Sequence, residues 1–123
     1  MIDWAFAGNA AVGEEIAPLV AASLNLLEFD STQAKSLDQV VFEGYIQGLR
    51  EAGWRGDPQA VRSTYVAASI IRYEGTGLAV MVADESKHGL LEQIFEHPLE
   101  ELLEVWANTN RFYYHLADEV SAN

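Results

Sequence analysis

Ile2-Asp3-Trp4 sets one carboxylate between two large apolar side chains, and the small-residue stretch 5–13 follows it. That pattern reads as a strand end presenting Asp3 to a site. A carboxylate held in this way is a hard oxygen donor suited to Mg²⁺, which bridges onward to phosphate oxygens. Glu15 stands at the head of an expected helix, where an acid is favoured by the helix dipole. His88, His97 and His115 lack the His-Glu-x-x-His spacing of a zinc site, and His88 with Glu92 reads as an exposed pair four residues apart. Glu92, Glu96, Glu100, Glu101 and Glu104 form an acidic run, either a solvated face or a wall for a cationic substrate. Trp54, Tyr65, Tyr73, Tyr113 and Tyr114 have the chemistry of an aromatic box for a quaternary ammonium, but their helical spacing favours core positions. Arg62 and Arg72, two cations among many acids, read as internal partners of those acids rather than as phosphate contacts.

The elements that must carry these groups read as consecutive helices. Residues 14–29 show Ile16, Leu19, Val20 and Leu27 at helical spacing, with regular helix expected to begin near Pro18. Ser36 and Gln39 have capping-box spacing, ahead of an apolar stripe of Phe42, Tyr45, Ile46 and Leu49. Gly44 and Gly48 on that helix either admit a close neighbour or cost stability. Gly53 is the expected stop. Asp57-Pro58 opens the next helix, which runs to about residue 73 and whose wide apolar surface marks it as central. Gly75 and Gly77 close it. Residues 78–83 are an apolar run whose periodicity does not separate strand from buried helix; the company it keeps favours helix. His97-Pro98 opens the last helix, with Leu99, Leu102, Leu103, Trp106, Tyr113, Leu116, Ala117 and Val120 on one stripe and Thr109-Asn110 interrupting it. The expected architecture is mainly α, a single domain over residues 1–123, with about five helices after a short N-terminal strand remnant.

Composition limits the function. With 7 basic and 19 acidic residues the net charge is −12. Nucleic acid and anionic membrane surfaces both need basic patches, so neither is an expected partner. A cationic small molecule remains compatible. The chain has no cysteine, which excludes disulfides and thiolate metal sites and suits a cytoplasmic setting. Residues 16–27 are too short and too interrupted by Pro18, Ser23 and Asn25 to span a bilayer.

Ile2-Asp3-Trp4, followed at a fixed distance by Gly13-Glu14-Glu15-Ile16-Ala17-Pro18-Leu19-Val20, resembles the aminoglycoside phosphotransferase and choline kinase-like superfamily. In that superfamily a metal-binding aspartate ends a short hairpin, a loop of small residues follows, and a helix opens with an acid. Residues 45–54 and 58–74 resemble the helical part of the C-terminal lobe in bacterial members. The resemblance implies that Asp3 holds Mg²⁺ on the phosphates of ATP. It also implies that Glu15 braces a catalytic loop through hydrogen bonds, and that a small molecule, cationic or otherwise, is the substrate. The superfamily's catalytic loop, glycine-rich loop and nucleotide-pairing lysine would precede Asp3, where only Met1 and Ile2 stand. His115 does not replace the loop, since Asp118 follows at the wrong spacing. The expectation is therefore a C-terminal fragment, inactive in phosphoryl transfer by itself. The alternative is a non-catalytic acidic helical domain that binds a protein or self-associates through an apolar patch of Ala5, Phe6, Ala7, Ile16 and Val20.

Overall fold

The computed structural model of the chain describes residues 8–73 and 76–122, and among them every regular element is helical. The strand remnant expected at Ile2-Asp3-Trp4, the apolar residues 5–7 and Gly75 lie outside the described residues. The architecture is mainly α, a bundle of about five helices.

The chain enters the bundle through Gly13, whose φ is 104°. A Cβ there would meet the Val61 carbonyl oxygen at 2.6 Å, so both the backbone angle and the close approach require glycine. One 3₁₀ turn, Glu14–Ile16, leads into α1 (Ala17–Asn25) with Pro18 in its first turn, where a missing N–H costs nothing. The helix stops short of residue 29. Leu27 takes a positive φ of 60°, and the Phe29 N–H bonds back to the Ser23 carbonyl at 2.9 Å.

The capping box expected at Ser36 does not form, because α2 (Ala34–Glu51) starts two residues before it. Its lead-in is a 3₁₀ turn, Ser31–Gln33, capped by the Asp30 carboxylate accepting from the Thr32 N–H at 2.9 Å. Gln39 instead donates to Glu43 one turn along. At the other end Gly53 acts as the stop, with φ 93°. Its N–H bonds the Arg50 carbonyl and the Trp54 N–H bonds the Leu49 carbonyl, the paired bonds of a Schellman motif. Gly44 and Gly48 face open space, with no atom of the described residues within 4 Å of where a Cβ would lie. The close-neighbour alternative for them is therefore not realised.

Asp57 caps α3 (Pro58–Tyr73) by accepting from the Gln59 N–H at 2.9 Å. The apolar run after it is helix, α4 (Thr76–Ala83), and α5 (His88–Phe95) follows a 3₁₀ turn capped by Asp84. α6 (Leu99–Ser121) begins after Pro98. The expected His88–Glu92 pair is absent: Glu92 accepts from the Leu99 N–H at 2.8 Å and so caps α6, while His88 Nε2 bonds the Val82 carbonyl at 2.6 Å. An orphan N–H at a helix start outbids a solvated neighbour for a carboxylate.

α3 lies at the centre, against α1 on one side and α6 on the other. The main core gathers Val20, Leu24, Tyr65, Val66, Tyr113 and Leu116. Ile16 and Val20 belong to this core, so they form no exposed apolar patch. A smaller cluster joins α5 to α6 through Leu91, Leu102 and Trp106, whose indole N–H donates to the Asn25 carbonyl at 3.1 Å. Thr109 does not break the apolar stripe of α6: it is fully buried, its hydroxyl satisfied by the Val105 carbonyl one turn back. Pro58–Ala83 is by length and composition apolar enough to cross a membrane. Within it, α3 buries Val61, Tyr65 and Val66 together with a charged Arg62, the pattern of a core helix.

Candidate functional site

Two places in the bundle gather chemistry. The first is the elbow at Gly13. The Glu15 carboxylate accepts from the Gly13 N–H at 3.1 Å and from the Tyr45 hydroxyl on α2. Glu14 pairs with Arg72 near the end of α3. The two acids thus tie the start of the bundle to two different helices. Burial alone would raise the Glu15 pKa, but the Tyr45 hydroxyl and the backbone N–H groups of Glu15 and Gly13 outweigh it and hold the carboxyl below its usual range. The same contact works oppositely on Tyr45, whose hydroxyl is pushed up to about 12 by burial and then by its bond to the Glu15 anion. Asp3, the residue expected to bind metal, lies outside the described residues.

The second place is a cleft of about 960 Å³ between α2 and α6, floored by the first half of α3. Its deepest polar feature is a buried ion pair. Arg62 Nη1 and Nη2 donate to the two Asp38 carboxylate oxygens, each at 2.8 Å. The side chains are only 10% and 5% exposed. A fork-to-fork pair of this kind fixes orientation as well as charge. Glu119 on α6 reaches the same Nη2 at 3.4 Å, and the guanidinium lies over the rings of Phe42 and Tyr65 at 5.0 and 5.4 Å. Burial works against the Arg62 charge, but Asp38 and then Glu119 more than offset it, so the group is held above its ordinary value. The Tyr65 hydroxyl beneath is shifted far upward, first by burial and then by the neighbouring Asp38 charge.

The walls of the cleft divide by chemistry. Phe42, Phe112 and Leu116 give it an apolar side. Lys35, Asn108, Arg111 and His115 give it a polar rim. Asn108 Nδ2 donates to the Ser31 hydroxyl at 3.3 Å, and Arg111 donates to Asn108 Oδ1 at 3.2 Å, so the amide links α6 to the turn before α2.

The other expected groups are dispersed. Tyr65 and Tyr113 are core residues, while Tyr114 is exposed, so no aromatic box forms among the described residues. Arg62 and Arg72 both pair with acids, as read from the sequence. His97, just ahead of α6, bonds Glu101 in the first turn of that helix. Among the described residues no group of three or more His, Asp or Glu side chains is placed to hold a metal ion. The residues in view therefore do not make up a Mg²⁺ site, and Asp3 would be one ligand of such a site at most.

Comparison of the chain with protein-family models, with curated proteins and with solved structures gives no match. Sequence reasoning did not single out Asp38, Lys35 or Arg111. Asp38 carried a signal: it lies four residues before Phe42, in register with the apolar stripe of α2. An acid on a buried stripe needs a cation, and Arg62 sits on the buried face of α3 in the same way.

Proposed function

We propose that the chain is the helical C-terminal lobe of an ATP-dependent small-molecule phosphotransferase related to the aminoglycoside phosphotransferases and choline kinases. The observation that supports this is the elbow. A glycine that tolerates no side chain and an acid that grips both the Gly13 N–H and Tyr45 fix the backbone at the entry to the helices, ten residues after Asp3 in the sequence. A phosphotransferase needs such rigidity, because its catalysis is mostly positioning and charge neutralisation. In the complete enzyme Asp3 would contribute one carboxylate to a Mg²⁺ that neutralises charge on the nucleotide phosphates. Glu15 acts on that carboxylate only through the backbone, as a positioning residue. The catalytic base, the remaining metal ligands and the nucleotide lobe would come from sequence outside these 123 residues. Dependence on ATP makes the cytoplasm the proposed location.

The test starts from the genomic DNA ahead of the Met1 codon. An in-frame His-x-Asp loop is expected there, and unrelated sequence or stop codons would overturn the proposal. In the protein that includes that loop, Asp3→Asn is expected to lower phosphoryl transfer by about 100-fold or more, as loss of several kcal/mol of metal-borne stabilisation implies. Unchanged turnover would overturn the role given to Asp3.

A second reading, a non-catalytic domain that self-associates, draws on Val40, Ile71 and Val80, which are 70%, 80% and 68% exposed. Light scattering after size exclusion separates it: a single species at 13.6 kDa would remove it.

A further inference from the structure

We infer that the cleft between α2 and α6 is a binding site for a small organic anion, one carrying a phosphate or carboxylate head on a flat or apolar body. The inference rests on charge placement within an acidic protein. Lys35, Arg62 and Arg111, three of the chain's 7 Lys and Arg residues, line this cleft, against three of its 19 acids. Two of those acids face a cation, and the third keeps its charge. Asp38 and Glu119 face Arg62, and Glu43 accepts from the Gln39 amide at 2.9 Å. Lys35 and Arg111 make no ion pair with a described residue. The lining as a whole is therefore neutral, three cations against three acids, although the chain carries −12, and Lys35 and Arg111 are its two cations outside an ion pair among the described residues. At physiological ionic strength charges beyond about 8 Å are largely screened, so a ligand inside the cleft responds to the groups that line it rather than to the acids elsewhere on the chain.

Two further features support an anion. Lys35 stands in the first turn of α2, where its side chain lines the cleft. His115 lies on the same rim and supplies a third donor. Phe42, Phe112 and Leu116, which line the same cleft, select for an aromatic or aliphatic body. The volume, about 960 Å³, suits a ligand of cofactor or metabolite size. This chemistry runs against a cationic ligand, which would meet Lys35 and Arg111 unshielded. The inference is independent of the phosphotransferase proposal, since it involves neither Asp3 nor nucleotide.

The test is a titration of the 123-residue chain with phenyl phosphate, followed by ¹⁵N–¹H correlation spectra. Saturable shifts are expected in residues 31–43, 58–62 and 108–119. Lys35→Gln with Arg111→Gln, both exposed and so expected to leave the circular dichroism unchanged, should weaken binding by about tenfold or more. Benzoate is expected to bind at the same residues, and inorganic phosphate more weakly than phenyl phosphate. Equal affinity for inorganic phosphate would overturn the part assigned to the apolar wall. Absence of saturation by about 20 mM, shifts centred elsewhere, tighter binding of benzylamine, or undiminished binding by the folded double variant would each overturn the site.

Discussion

Replacing Asp38 with asparagine should cost this protein a large share of its stability. The substitution keeps the shape of the side chain and removes its charge, leaving the Arg62 guanidinium buried. Two hydrogen bonds of 2.8 Å then lose their charged acceptor. Among the described residues the acid left within reach is Glu119, at 3.4 Å and 54% exposed, too distant and too solvated to replace a bidentate partner. Stranding one member of a buried pair costs about 3–5 kcal/mol. A chain of this length has roughly 6–18 kcal/mol to lose. With partial relief from Glu119 and from the rings of Phe42 and Tyr65, about 3 kcal/mol is expected for Asp38→Asn. Urea unfolding followed by circular dichroism measures it: with a slope near 2 kcal/mol per M, the midpoint should fall by about 1.5 M. Glu119→Gln should cost less than about 1 kcal/mol. The paired change Asp38→Leu with Arg62→Met should cost less than Asp38→Asn alone, because it removes both desolvated charges together. A loss below about 1 kcal/mol for Asp38→Asn, or an equal loss for Glu119→Gln, would refute the view that the pair is buried and mutually dependent.

Gly44→Ala and Gly48→Ala should each stabilise by about 0.5–1 kcal/mol in urea unfolding, because both glycines lie mid-helix with open space where a Cβ would go; a loss in either would reveal a neighbour on that face. The Tyr113 hydroxyl is buried without a hydrogen-bond partner among the described residues, so Tyr113→Phe should leave stability unchanged or raise it by about 1 kcal/mol, read as a shift in urea midpoint. Glu15 has a lowered folded pKa, so its contribution is present above the ordinary carboxyl value of 4.5 and is lost as pH falls through the folded value. Glu15→Gln should therefore flatten the decline of stability below pH 4.5, and an unchanged acid limb would refute the tie to Gly13 and Tyr45. Tyr45 has the opposite sign: its contribution is whole below pH 10 and is lost as pH rises through about 12. Tyr45→Phe should lessen that alkaline loss without abolishing it, since burial also raises Tyr65 and Tyr113.

Helix boundaries were legible where a backbone rule acts locally. Asp57-Pro58 capped and opened α3, and Gly53 closed α2, because a carboxylate acceptor, a fixed φ and a positive φ need no tertiary partner. Ser36 misled because two caps competed: Asp30 lies first in the chain, starts the turn, and leaves Ser36 inside the helix. Glu92 misled for a longer-range reason, since the N–H it caps belongs to Leu99 on the next helix.

The sequence by itself determined a mainly helical chain, the central place of α3 and the internal pairing of Arg62 and Arg72. Apolar periodicity and the scarcity of cations among many acids are enough for that. Only the tertiary structure decided that Asp38 is the partner of Arg62, that Ile16 and Val20 are core, and that Lys35 and Arg111 face one cleft. Those facts depend on how α2 and α6 lean across α3, and a helix's own period records which residues share a face but not which face of another helix it meets.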